Sequence, residues 1–346
     1  MESIKSIDVK GKRVLVRCDF NVPVDTEGHI LDDFKIKQTV PTIQYLIQQG
    51  AKVILMSHLD PHSTGVVDSR FNMAKIAQSL SEYLNLTVAK ADECVGTESK
   101  NFTQKMKEGW VLLLENLKFY KEETENDQEF AKKLSELAEV YVNDAFASCH
   151  REYASMVGVP KYLPSATGLL LEKELENLGK ILRNPQKPLV AIVGGAKIET
   201  KAGFVESISK VADTVIVSGL IKKGIRDNHI ALTHPEKIMG PEANLDAPDI
   251  DQKTIEMFCE KIATAKTVVW NGPFGKFEEP AFKEGTFAIA NCIVKSKAFC
   301  VAGGGETVEF LNKEGLTAQF SWVSTGGGAM LGYLTGEPMP GLEALK

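Results

Sequence analysis

Short apolar, β-branched runs alternate with helix-patterned stretches along nearly the whole chain, and this alternation limits the possible folds more than any other feature. The runs read "RVLVRCDF", "AKVILMSH", "WVLLLEN", "VYVNDAF", "PLVAIVGG", "DTVIVSG", "KTVVWNG", "KAFCVAGG" and "QFSWVSTG". Between most of them lie segments such as "MAKIAQSLSEYL", "FAKKLSELA" and "KTIEMFCEKIATA", with apolar residues three and four apart, the spacing of one helix face. A strand apolar at almost every position is buried on both faces, and parallel strands joined by covering helices bury it in that way. The expected fold class is therefore α/β, with doubly wound parallel sheets.

A chain of 346 residues exceeds what one hydrophobic core usually supports, so two domains are expected. The helical stretch "GLLLEKELENLGKIL" at 168–182, followed by "RNPQKP" and a fresh apolar strand, has the form of an interdomain helix, although one more covering helix would look the same. That places domains over 1–167 and 183–334. The net charge of -6 argues against nucleic acid as a partner, which would call for a concentrated basic face. No apolar run approaches the roughly 18 residues needed to span a bilayer, so no membrane partner is expected. Six scattered cysteines without a CxxC pair or zinc-like spacing predict neither a disulfide framework nor a structural metal, and fit a reducing cytoplasm.

Open α/β sheets bind ligands at the carboxyl ends of their strands. In the N-terminal half those ends carry Arg17, Asp19 and Asn21, then His58, Asn116 and Lys118, then Asn143, Asp144, His150 and Arg151. Such cations suit a small, multiply charged acid. Any one of them could equally be a surface group paired with an acid, but four or five at equivalent strand ends argue for a site. In the C-terminal half the strand ends carry Gly194, Gly195 and Lys197, then Asn271, Gly272 and Pro273, then two triple-glycine loops, "AGGGET" and "STGGGA". Glycines opening a helix can cradle an anion, though one such run alone is as consistent with a tight turn. Lys197 and Lys201 share a helix face and can neutralise phosphate oxygens, but the P-loop spacing is absent. Glu306 beside phosphates would repel them unless a cation such as Mg²⁺ intervened. Glu278 could accept from ribose hydroxyls or be a solvated loop acid.

The segments "RCDFNVP", "GAKVILMSHL", "ENLKFY", "YVNDAF", "HREYASMVG", "GGAKIETK", "VVWNGPFGKFE", "AGGGET" and "VSTGGGAML" resemble, in order, the successive signatures of the phosphoglycerate kinase family. The resemblance implies two Rossmann-like domains that flank a cleft and close on a hinge, with 335–346 packing back on the first domain. It implies Mg²⁺-dependent phosphoryl transfer between ATP/ADP and 3-phosphoglycerate by a monomer. Arg17, Asp19, Asn21, His58, Lys118 and Arg151 would then line the acid's site. Gly194, Gly195, Lys197, Lys201, Asn271, Glu278, Gly303, Gly304, Gly305 and Thr307 would hold the nucleotide, with Glu306 at the metal. Lys197, Gly326, Gly327 and Gly328 would meet the migrating group, and Lys35 falls where the family has a catalytic arginine.

The chain departs from the family pattern at Lys35 and Lys118, both arginine in the family, at Asp60 and Pro61 after "SHL", and at Glu306 in place of an aspartate. Relative to the family pattern, several dozen residues are also missing between "LIKKGIRDNH" and "NLDAPDIDQKT". These departures leave open an alternative, a catalytically impaired paralogue that binds ligand or partner without turnover.

Overall fold

In the computed structural model, which describes residues 1–59 and 64–346, the chain divides into two units. One comprises Met1–Leu175 with Pro338–Lys346, the other Glu176–Glu337. The first unit holds β1 (Arg13–Arg17), β2 (Lys52–Met56), β3 (Val88–Lys90), β4 (Val111–Leu113), β5 (Val140–Asn143) and β6 (Ser165–Thr167) in one sheet of order β3-β4-β2-β1-β5-β6. The second holds β7 (Leu189–Val193), β8 (Thr214–Val217), β9 (Ile238–Met239), β10 (Thr267–Asn271), β11 (Phe299–Gly303) and β12 (Trp322–Val323), ordered β12-β11-β10-β7-β8-β9. Every strand pairing in both sheets is parallel.

The expected fold class is the observed one, for the expected reason. All five residues of β7 and of β10 are buried, as are four of five in β1 and in β2. In each unit the central strand sits where the order reverses, β1 beside β5 and β7 beside β10. The loops leaving these pairs lie at the carboxyl edge, the position where doubly wound sheets take ligands.

Two strand-end residues prove to be structural. Asp144 accepts from the backbone N–H of Leu170 (3.0 Å) and Leu171 (3.2 Å), capping the first turn of the helix Leu169–Arg183. Its carboxylate lies so close to Gly168 that a Cβ there would collide with it. Burial pushes the Asp144 carboxyl up to about 7. Asn143 donates to the carbonyl of Gly341 (3.2 Å), and Gly341 N–H donates to the carbonyl of Cys149 (2.9 Å), which fastens Pro338–Lys346 to this unit.

The cysteine expectation needs correcting. Cys259, on the helix Gln252–Thr264, and Cys292, on Glu284–Ser296, form a disulfide across a sequence separation of 33. Neither residue has a spacing signature, because the bridge joins two helices that pack side by side. Breaking it, by reduction or by Cys259→Ala with Cys292→Ala, is expected to lower the unfolding free energy by about 2–4 kcal/mol. An unchanged denaturation midpoint would show that the bridge contributes nothing.

Candidate active site

In the first unit, the ends of β1 and β2, the segment after β4 and the start of the helix Phe34–Gln48 bring Arg17, Asp19, His58, Lys118 and Lys35 together. Arg17 is fully buried, its Nη2 donating to Nδ1 of His58 at 3.0 Å, its Nε to Oγ of Ser155 at 2.8 Å and its Nη1 to the carbonyl of Cys18. Because arginine only donates, His58 Nδ1 must accept, so the neutral ring carries its hydrogen on Nε2. Asp19, only 2% exposed, accepts from Nζ of Lys35 at 2.8 Å. Burial pushes the Asp19 carboxyl up, but Lys35, His58 and Arg17 outweigh it and leave the group below its ordinary value. Lys118 is also buried, with Nζ 5.3 Å from the ring centre of Tyr153, which meets His58 edge-on at 6.4 Å.

Burial and the adjacent Arg17 charge lower the His58 ring from 6.5 to about 3. The unfolded ring thus takes a proton near its ordinary value that the folded ring refuses. Its contribution to stability is present above about 6.5 and is lost as pH falls from there toward 3, by up to ~1.4 kcal/mol per pH unit. Urea unfolding at about pH 7 and about pH 5 should show a smaller pH dependence for His58→Gln than for the unaltered chain. Equal slopes would mean that the ring titrates normally.

Asn21 is half-buried and Arg151 is exposed. Asn116 is a loop pin rather than a ligand group: its amide bridges Leu59, Phe71 and the Lys118 N–H. Asp60 and Pro61 lie outside the described residues. Sequence reading missed the buried Glu123 and Ser155 and the half-buried Tyr153. Glu123 sits among other acids in "KEETEND", and the two others lie within a quoted motif with no chemistry to single them out.

In the second unit, three helices follow β7, β11 and β12: Ile198–Ser209, Gly305–Lys313 and Gly327–Thr335. The two triple-glycine loops pack on each other, and a Cβ on Gly327 would stand 3.0 Å from the Cα of Gly304. Gly304 has φ +101°, and Gly305 and Gly328 face open space. Two helix N-termini therefore meet, each with first-turn amides that have no acceptor inside the helix. Gly326 spends its N–H on Ser324 Oγ (3.1 Å), so the amides from Gly327 onward form the open end.

Gly194 and Gly195 act differently from the expected cradle. Gly194 N–H donates to the carbonyl of Asn271 (2.9 Å) and Gly195 N–H to that of Pro273 (2.6 Å). A Cβ on Gly194 would collide with the carbonyls of Gly272 and Pro273. These glycines seal the β7 and β10 loops together, which leaves the cations that follow to face a ligand. Lys197 is exposed at the start of its helix. Lys201 donates to Oδ1 of Asn271, and burial lowers it to about 8, with Glu306 opposing and Lys197 adding to the shift. Glu306 is exposed at the head of its helix, whereas Thr307 is buried, its Oγ1 accepting from Gly272 N–H at 2.7 Å. Glu278 is exposed in the loop after β10.

The phosphoglycerate kinase family model matches residues 4–227 and 226–337. The chain belongs to this family. It is 42% identical over 389 positions to the phosphoglycerate kinase of Pelotomaculum thermopropionicum, covering 99% of this chain and 98% of that protein. The Aquifex aeolicus phosphoglycerate kinase is 40% identical over 390 positions, covering 99% and 98%. The solved structure of the Pyrococcus horikoshii phosphoglycerate kinase superposes with a TM-score of 0.90 at 32% identity, covering 100% of this chain and 98% of that one. That of Coxiella burnetii superposes with 0.81 at 34%, covering 99% and 98%.

These alignments run over about 390 positions against 346 residues, so the phosphoglycerate kinases carry several dozen positions absent here. The two segments of the phosphoglycerate kinase match meet at 226–227, where the helix Gly219–Asp227 ends. That helix is capped by Ser218 Oγ, which also donates to the carbonyl of Gly195 (2.7 Å), so the shortened segment remains tied to the β7 loop.

Proposed function

We propose that the chain catalyses reversible phosphoryl transfer between ATP and 3-phosphoglycerate, giving ADP and 1,3-bisphosphoglycerate, the phosphoglycerate kinase step of glycolysis. The observation that carries this reading is the pairing of chemistries within one member of the family. One sheet gathers Arg17, Lys35, His58 and Lys118 at its carboxyl edge, and the other gathers Lys197, Lys201 and two helix N-termini.

In this reading Lys118 and the Nε2–H of His58 grip the acid, with Arg17 behind the ring, Arg151 at the exposed rim and Asn21 beside them. Lys35 meets the reacting end from the acid's side. The first-turn amides from Gly305 and from Gly327, with Lys197 and Lys201, neutralise the phosphates, and Glu278 faces the ribose. Transfer is direct, because spreading charge over the migrating group needs positioned donors rather than a covalent intermediate.

Magnesium fits the donor set. Among the described residues no three or more His, Cys, Asp or Glu side chains form a metal cage. Nucleotide-bound Mg²⁺ needs none, since it keeps waters and takes one or two carboxylates with phosphate oxygens. Glu306 is the carboxylate placed for this, exposed beside the triple-glycine loop. Glu306 would hold the ion, which would supply positive charge against the phosphate oxygens.

The proposed setting is the cytoplasm, with the monomer as the working unit. Among the described residues no helix is long and apolar enough to cross a membrane; Cys18, Cys94, Cys149 and Cys300 are buried free thiols, as a reducing setting would leave them, whereas the Cys259–Cys292 disulfide runs against such a setting. The test is a coupled assay with Mg²⁺, ATP and 3-phosphoglycerate, following the acyl phosphate through NADH oxidation by glyceraldehyde-3-phosphate dehydrogenase. Turnover is expected. A folded protein that binds 3-phosphoglycerate without turnover would overturn the kinase reading.

A further inference from the structure

Behind Arg17 lies a network that contacts no presumed ligand. Glu123, on the short helix Lys121–Thr124, is a fully buried acid. Its Oε2 accepts from the Ser155 N–H at 2.9 Å, and its Oε1 lies 2.5 Å from Ser155 Oγ and 3.9 Å from Arg17 Nη2. Ser155, also fully buried, belongs to the π-helical turn Ala154–Gly158. Such turns are rare and frequent at functional sites.

With Glu123 ionised against the Arg17 guanidinium, the hydrogens have one placement. Ser155 Oγ carries one hydrogen, and Arg17 Nε, 2.8 Å away, can only donate to it, so the hydroxyl hydrogen must go to Glu123. The relay therefore runs from Arg17 through Ser155 to Glu123 in one direction, while Arg17 Nη2 donates to His58 Nδ1. Glu123 also offsets a buried guanidinium charge that would be costly unpaired.

We propose that Glu123 and Ser155 are positioning residues for the acid's half-site: they lock the Arg17 guanidinium against His58 Nδ1 and thereby hold His58 in its Nε2–H tautomer, the form that offers one N–H to the substrate. This rests on reading the first unit as the 3-phosphoglycerate half-site. A relay that only filled the core would affect stability and leave the ring's tautomer alone.

The experiment is ¹⁵N NMR of the histidine side chains in the full chain, with the His58 signals assigned from His58→Gln, in parallel with steady-state kinetics. The proteins are the unaltered chain, Ser155→Ala and Glu123→Gln, each with and without 3-phosphoglycerate. The unaltered chain is expected to show one Nε2–H tautomer whose signals move on adding 3-phosphoglycerate. Ser155→Ala is expected to show mixed tautomers and a KM for 3-phosphoglycerate raised about 10-fold to 100-fold, with the KM for ATP unchanged. Glu123→Gln should do the same, and if it fails to fold, Ser155→Ala decides. Tautomer and KM unchanged in the variants of an active enzyme would overturn the positioning role. An inactive unaltered chain whose His58 signals ignore 3-phosphoglycerate would instead overturn the half-site reading, and the proposal with it.

Discussion

Replacing Lys197 with alanine is expected to lower turnover by about 10²-fold to 10³-fold while leaving the fold intact. Lys197 is exposed at the N-cap of the helix Ile198–Ser209, and an exposed charge contributes only about 0–1 kcal/mol even where it is paired, so its loss should leave the protein folded. Its charge, however, stands next to Lys201 and Glu306, as their mutual effects on Lys201 show. Lys201 already donates to Oδ1 of Asn271, so it is a weak substitute for its exposed neighbour. A group transferred as a dispersed anion gains most from donors already in place, and a lost preorganised donor appears in kcat more than in binding. The measurement is kcat and KM for both substrates in the coupled assay, with a thermal melt as control. Unchanged kcat with an unchanged melt would remove Lys197 from the mechanism.

How much of this site was legible in sequence depends on what kind of signal each part leaves. The nine apolar runs are nine of the twelve strands, because a doubly covered strand is written as a continuous apolar stretch. The three that escaped, β3, β6 and β9, have two or three residues each; β4 and β12 are as short, but β4 lies in the longer apolar run "WVLLLEN" and β12 runs into a triple-glycine loop. The helix starts at Gly305 and Gly327 were readable because glycine after a strand marks a turn. That the two loops pack on each other is tertiary and was not.

The same limit explains the residues whose roles changed. The resemblance assigns Gly194 and Gly195 to the nucleotide, and the residues alone fit a tight turn equally well; their amides are used in sealing the β7 and β10 loops. The order of a motif cannot say whether an N–H points at a ligand or at a neighbouring carbonyl. Asp144 read as a site acid and is a helix cap, since the helix it caps starts 25 residues later in the chain. Glu123 and Ser155 meet across 32 residues, and Cys259 pairs with Cys292 across 33. Pairings of this kind are settled by packing, and no local spacing encodes them.

The second large effect concerns Lys35, where the chain carries lysine in place of the family's arginine. Lys35→Ala is expected to lower turnover by about 10²-fold or more and also to destabilise the fold, by about 1–3 kcal/mol. Both follow from Asp19. Its carboxylate is 2% exposed and Lys35, 28% exposed, holds it at 2.8 Å. Without that ammonium the acid keeps the Asn21 N–H at 3.2 Å and the nearby Arg17 and His58, and Arg17 is already committed to Ser155, Cys18 and His58. An uncompensated anion would then face an anionic substrate. Lys35→Arg should go the other way: a planar guanidinium can leave one N–H on Asp19 and turn a second toward the substrate, which one ammonium nitrogen does less well, so kcat should rise by up to about 10-fold. Kinetics and urea unfolding of both variants separate the terms. If alanine left turnover unchanged, or arginine did no better than alanine, Lys35 would serve only to neutralise Asp19, and the reacting group would be stabilised from the nucleotide side alone.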